Sequence, residues 1–209
     1  MPARTTTKAA RPRLSRDEVR DRLVAATTEL VRDRSFYELS VAEVTERAGI
    51  ERTIFYRHFD SLADLLLRAA TEAIEDLYDA QVELDGGRRE GDLETVRAAI
   101  APAVRVYQRH GPVLRAVTEA GASDPQIAAR GAELRLRFNE LVADSLARLP
   151  SLRENAPADV AESARALNLL NEAYLRDAFG REPRLSPEAA VQTLTEIWAA
   201  FLDRRTQGA

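Results

Sequence analysis

Residues 40–69 read SVAEVTERAGIERTIFYRHFDSLADLLLRA. Ser40 followed three residues on by Glu43 forms a capping box: the hydroxyl accepts from the Glu43 N–H and the carboxylate reaches back to the Ser40 N–H. Leu39 and Val44 occupy the positions of a hydrophobic staple. The helix so opened stops at Ala48-Gly49, where Gly49 suits the left-handed position just past a helix end. A second short helix is predicted over Arg52–His58, with Val44, Ala48, Ile50 and Ile54 filling the small core between the two. This is a helix-turn-helix pattern. The polar side of its second helix carries Arg52, Thr53, Tyr56 and Arg57, which can donate to phosphates and base edges.

Toward the N-terminus the same signals recur. Ser15 and Glu18 form a second capping box, Leu14 and Val19 a staple, and Val19, Leu23, Ala26, Thr27 and Leu30 one apolar face of a helix over 16–34. Arg4, Lys8, Arg11, Arg13 and Arg16 precede or open it with no acid among the first 16 residues. Residues 1–60 hold 12 Arg plus Lys against 10 Asp plus Glu, although the whole chain carries −4. A basic front on an acidic body points to an anionic partner for the front alone, against the plainer reading of a solvated tail.

Toward the C-terminus every strong periodicity is helical. A long helix opens at Ser61 and turns Leu65, Leu66, Ala69, Ala73, Leu77 and Leu84 inward. Asp85 to Gly91 reads as a loop, 92–110 as a helix kinked at Pro102, and 112–120 as a short helix between Gly111 and Gly121. Helices follow over 125–149 and 157–179, with a loop over 150–156. Ser186-Pro187-Glu188 opens the last one with a cap, a proline at the first helical position and an acid in the first turn. Its apolar face is Ala190, Val191, Leu194, Ile197, Trp198 and Phe201. The expected fold is all-α, with nine helices and no sheet. Residues 1–14 form a flexible basic tail, 15–60 a helix-turn-helix domain and 61–209 a helical body.

The chain has no cysteine and two histidines, His58 and His110, which removes disulfides, thiol catalysis, iron–sulfur clusters and cysteine-ligated zinc, and nearly removes a histidine metal site. No glycine-rich nucleotide loop and no nucleophile–base–orienter set is visible, so neither a cofactor nor an enzyme is expected. His110 sits beside a Gly-Pro turn, where it would serve a helix C-terminus. No apolar run approaches the roughly 18 residues of a membrane span, and no apolar stretch follows the basic N-terminus as a secretory leader requires. A cytoplasmic protein that avoids membranes is the expectation.

The stretch Ser40–Ala69 resembles the DNA-binding signature of TetR-family regulators: a capped short helix, Ala-Gly-Ile, then a recognition helix ending in Tyr-x-x-Phe, here Tyr56 to Phe59. Residues 166–198, ALNLLNEAYLRDAFGREPRLSPEAAVQTLTEIW, are similar to the branch of that family that holds the mycobacterial ethionamide-resistance regulators. The resemblance implies a repressor that binds double-stranded DNA at an inverted repeat. It has Ser40 cap the second helix with room to touch a phosphate, Tyr56 and His58 donate to phosphates, and Arg52 and Thr53 point toward bases, with Phe55 and Phe59 as packing. Three positions depart from the pattern. Glu51 stands where Ser or Thr is usual, either as a helix cap or as an acceptor for a cytosine amino group. Leu62 replaces a phosphate-binding lysine and Asp60 a proline. The basic tail could compensate by following the DNA backbone or entering the minor groove.

For the body, the resemblance implies a ligand pocket and a homodimer formed through helices 157–179 and 186–203. The residues support this in part. Leu167, Asn168, Asn171, Tyr174, Leu175 and Ala178 share one broad face, and asparagines within an apolar stripe require partners when buried. Those partners are either each other, backbone and water, or a ligand; with the resemblance, Asn171 leads and Asn168 follows. Tyr107, Phe138, Val142 and Trp198 are candidate walls of the pocket, with ordinary core packing as the competing role. The ligand implied is small and apolar with one polar acceptor. The alternative function is a helical lipid or small-molecule carrier without DNA binding, which leaves residues 40–69 unexplained.

Overall fold

The computed structural model describes residues 14–85, 92–149 and 159–206, and these contain eight α-helices, one 3-10 turn and no strand. The helices are α1 (Arg16–Asp33), α2 (Val41–Ala48), α3 (Arg52–Phe55), α4 (Leu62–Asp85), α5 (Asp92–Gly121), α6 (Pro125–Ala147), α7 (Val160–Phe179) and α8 (Pro187–Thr206). The 3-10 turn, Phe36–Glu38, links α1 to α2. The basic tail and the loops expected at 86–91 and 150–156 lie outside the described residues.

Local chemistry sets the N-terminal ends as read. Ser15 and Glu18 close one capping box and Ser40 and Glu43 the other. Gly49 takes φ 65°, the left-handed conformation that costs a residue with Cβ, and sends its N–H back to the end of α2. Ser61 Oγ accepts from Asp64 N at the start of α4, and Ser186 Oγ from Ala189 N at the start of α8. Asp124 caps α6 through Gln126 N and Ile127 N.

Three expectations need correction. The second helix of the pair ends at Phe55, not His58. Beyond it the bonds tighten, with Arg57 N on Ile54 O at 3.1 Å and His58 N on Phe55 O at 2.9 Å, a common way for a helix to close. The helix expected from Pro157 begins at Val160, where Asp159 accepts from Glu162 N at 2.9 Å. Residues 92–121 form one helix with Pro102 and Pro112 inside it, so the break at Gly111 is absent and the count falls from nine to eight among the described residues. Gly111 serves a crossing instead: a Cβ there would collide with the carbonyl of Phe179 at the end of α7. Burial of Val113, Ala116 and Ala120 on the following turns holds the helix through Pro112, tertiary packing overriding local preference.

The core has three parts. Val19, Leu23, Val44, Ile50, Phe55, Phe59 and Leu65 bury the helix-turn-helix against α1 and α4. Leu30, expected inward on α1, is half-buried, and Val31 is the residue fully enclosed there. Val31, Leu66, Ala69, Val113 and Ile127 join that unit to the body. Leu65 and Leu66 are neighbours on α4 that enter different parts, so α4 is the shared beam. The third part, including Ile100, Val104, Leu146, Leu175, Leu194 and Trp198, holds α5 to α8 together. Leu77 packs partly against it, and the side chain of Leu84 lies outside the described residues. No helix among the described residues is long and apolar enough to cross a membrane.

Candidate DNA-binding surface and ligand cavity

Arg52, Thr53, Tyr56 and Arg57 are all exposed around α3 and the turn that closes it, Tyr56 at 48%. Tyr56 is anchored from behind, its ring meeting that of buried Phe55 edge-on at 5.2 Å. Arg52 Nη2 donates to Tyr56 Oη at 3.3 Å, and its guanidinium carbon lies 5.7 Å from the ring centroid. The cation is thereby held against the Tyr56 side chain. Thr53 Oγ1 donates to Glu51 Oε2 at 3.4 Å. Glu51 occupies the N-cap position of α3, yet its side chain makes no cap bond. The cap reading of Glu51 therefore fails, and its carboxylate stays on the exposed face beside Thr53.

Ser40 is exposed at the start of α2, with its hydroxyl engaged: it accepts from Glu43 N and donates to Glu43 Oε2 at 2.7 Å. The Glu43 carboxylate also takes Arg34 Nη1 at 2.8 Å. The Arg34 bond and then the Ser40 bonds hold its pKa down to about 2. His58 is half-buried, and its Nδ1 is enclosed without a protein partner among the described residues. Burial, then Arg16, Arg20 and Arg57, push the imidazole below its ordinary pKa. The four donors are thus exposed within six consecutive residues, and half-buried His58 follows them in the closing turn.

A cavity of about 340 Å³ opens between α4, α5, α6, α7 and α8. All six residues expected at a pocket line it: Tyr107, Phe138, Val142, Asn168, Asn171 and Trp198. The asparagines do not bond each other. Asn168 Nδ2 donates to Asn139 Oδ1 at 2.9 Å, and Trp198 Nε1 donates to Asn171 Oδ1 at 3.1 Å. Asn171 is thereby fixed through its oxygen, and among the described residues no protein group accepts from its amide N–H groups. Burial pushes the Tyr107 phenol far above its ordinary pKa, so it remains a neutral O–H.

Several polar contacts in this part of the molecule were not expected from the sequence. Arg135 grips Glu172 through Nε at 2.7 Å and Nη2 at 2.9 Å, and Arg176 Nη1 reaches the same carboxylate at 3.2 Å. His110, expected at a helix end, lies inside α5 with Nε2 3.0 Å from Asp76 Oδ2. Arg115, 7% exposed, donates to the carbonyls of Val31 and Arg34 at the end of α1, to that of Gly180 beyond α7, and to Glu119. Its sequence signal was a charge between Val113 and Ala116 on an apolar face.

Comparisons with known proteins agree with this architecture. Residues 23–69 match the family described as bacterial regulatory proteins, tetR family, and residues 96–202 match the C-terminal domain of the transcriptional regulator EthR. The chain is 30% identical to the HTH-type transcriptional regulator EthR of Mycobacterium tuberculosis over 202 residues, covering 93% of this chain and 91% of that protein. It is 29% identical to the EthR of Mycolicibacterium smegmatis over 203 residues, covering 91% and 88%. Among solved structures, the TetR family regulator PfmR from Thermus thermophilus superposes with a TM-score of 0.70 at 18% identity, covering 85% of this chain and 96% of that one. The match over 23–69 disfavours a carrier without DNA binding, and regulators of this family are not enzymes. A helix-turn-helix with its donors outward, carried on a helical body that matches across α5 to α8, places this chain in the TetR family of DNA-binding transcriptional regulators, with an EthR-type C-terminal domain.

Proposed function

We propose that the chain is a cytoplasmic repressor that binds an inverted-repeat operator as a homodimer and leaves it when a small, mainly apolar molecule with a polar acceptor fills the cavity. In this reading residues 15–60 contact DNA, with Arg52 and Thr53 toward bases and Tyr56, Arg57 and His58 toward phosphates. Ser40 contributes mainly by capping α2. Residues 61–209 sense and dimerise, and the tail 1–14 adds backbone contacts. A homodimer through α7 and α8 would set two recognition helices in successive major grooves, about 34 Å apart.

The observation that carries the reading is the Asn171 amide, locked by Trp198 through its oxygen and left with donors on the wall of an otherwise mainly apolar cavity. Such donors gain an acceptor when a ligand enters. A ligand displaces DNA only through its difference in affinity for two conformations of the body. The test is a gel shift with the duplex upstream of the chain's own gene, repeated with acyl and aromatic carbonyl compounds that raise the melting temperature. Compounds that stabilise the protein should also release the duplex. Stabilisation without release would remove the inducer role.

A further inference from the structure

The cavity wall carries charge that a neutral ligand does not require. Arg135 and Arg176 share the single carboxylate of Glu172. Arg135 uses Nε and Nη2 for its fork on Glu172, leaving Nη1. Arg176 uses Nη1 only among the described residues. A guanidinium has five N–H donors, so most of those on Arg176 remain uncommitted. Two cations on one anion also leave a net positive charge at this part of the wall.

A structural role accounts for only half of the arrangement. The Arg135–Glu172 fork ties α6 to α7. Arg176 lies one turn from Glu172 on α7 itself, an i,i+4 pair that joins no second element. Beside this group stand the free amide donors of Asn171 and the neutral phenol of Tyr107. Ile74, Leu77, Val96, Ile100 and Leu146 also line the cavity and give it an apolar body, and its size of about 340 Å³ suits a small molecule. A cationic, donor-rich region joined to an apolar one matches the shape of an anionic amphiphile.

We infer that the ligand is a carboxylate with a long apolar chain, its head group held by Arg176 and the open Nη1 of Arg135 beside Glu172 and its chain in the apolar body. This rests on the reading of the cavity as a ligand site. Planar guanidiniums pair with carboxylates through strong charge-assisted bonds, and a partly enclosed site strengthens them.

The chain's single tryptophan, Trp198, lines the cavity and reports occupancy by its fluorescence. The experiment titrates dodecanoate and methyl dodecanoate, of the same chain length, into the full-length protein at neutral pH. The wild type should bind dodecanoate at least about tenfold more tightly than the ester. Arg176→Gln leaves the Arg135–Glu172 fork intact, and it should bring the two affinities together by weakening the acid far more than the ester. Glu172→Gln removes the competing carboxylate and should tighten dodecanoate alone. An ester that binds as tightly as the acid, or an acid preference that survives Arg176→Gln, overturns the inference and leaves the cavity a ligand site. If neither compound nor any neutral carbonyl compound binds, the ligand reading falls with it.

Discussion

Arg115 Nε donates to the carbonyl of Gly180 at 2.8 Å, joining the C-terminal turns of α5 to the residue that closes α7. The same guanidinium holds the carbonyls of Val31 and Arg34 at the end of α1. The Arg34 side chain bonds Glu43, which in turn holds Ser40 at the start of α2. Tyr37 Oη adds a second tie, donating to the carbonyl of Ala120 at 2.9 Å. A continuous polar chain thus runs from the cavity helix to the DNA-binding unit.

Removing this hub should act on stability and coupling separately. Arg115→Met leaves three carbonyls without their donor and should lower unfolding stability by about 3 kcal/mol in urea titrations. Arg115→Lys keeps a charge but cannot fork across several carbonyls. It should fold and bind DNA and ligand separately, with the ligand's effect on operator affinity reduced at least about fivefold. Undiminished release in Arg115→Lys would exclude the hub from the coupling.

His58 supplies a pH signature. Its pKa in the fold is depressed by burial and by Arg16, Arg20 and Arg57, so the unfolded chain binds this proton more readily. The stabilising contribution is complete above about pH 6.5, the ordinary histidine value, and is lost as pH falls toward the folded value. Wild type should therefore lose more stability than His58→Gln between neutral and mildly acidic pH. Parallel urea midpoints across that range would refute the account of His58.

Asn171→Leu should have two effects that a second substitution separates. It orphans the Trp198 indole N–H, which lowers apo stability by about 1–3 kcal/mol. It also removes the amide donors, which weakens ligand binding by a similar amount. In a Trp198→Phe background the first effect should vanish and the second persist. Melting curves with and without ligand distinguish them, and ligand shifts untouched by Asn171→Leu would remove this residue from the site.

The dimer prediction falls on the outer face of α7. Leu194 of α8 is fully buried within the protomer, so a charge there unfolds the chain and tests nothing about assembly. Leu169 and Leu170 remain 39% and 38% exposed. Leu170→Glu should give helical monomers with lost operator affinity, read by sedimentation and circular dichroism. A variant that stays dimeric would place the interface elsewhere.

The helix-turn-helix was legible because its determinants are local. Ser40 and Glu43 cap one helix, Gly49 ends it, and Phe55 and Phe59 face inward, all within a few turns. Gly111-Pro112 misled because the reason for Gly111 is the carbonyl of Phe179, in a helix distant along the chain. The apolar stripe of α7 marked the cavity residues. The partners of its asparagines, Asn139 and Trp198, arise only when α6 and α8 pack against it. Glu172 and Arg176 stand at a readable i,i+4 spacing, whereas Arg135 joins them across an interface that periodicity cannot see.

The most direct test is fluorescence anisotropy of the duplex upstream of the chain's own gene against a shuffled duplex of equal length. The wild type should bind the upstream duplex at least about a thousandfold more tightly, with affinity falling steeply as salt rises. Arg52→Ala should cost about 1–3 kcal/mol and relax preference at one base position of each half-site, while Tyr56→Phe should weaken both duplexes alike. Equal binding of wild type to the two duplexes, unchanged by Arg52→Ala, would contradict the account.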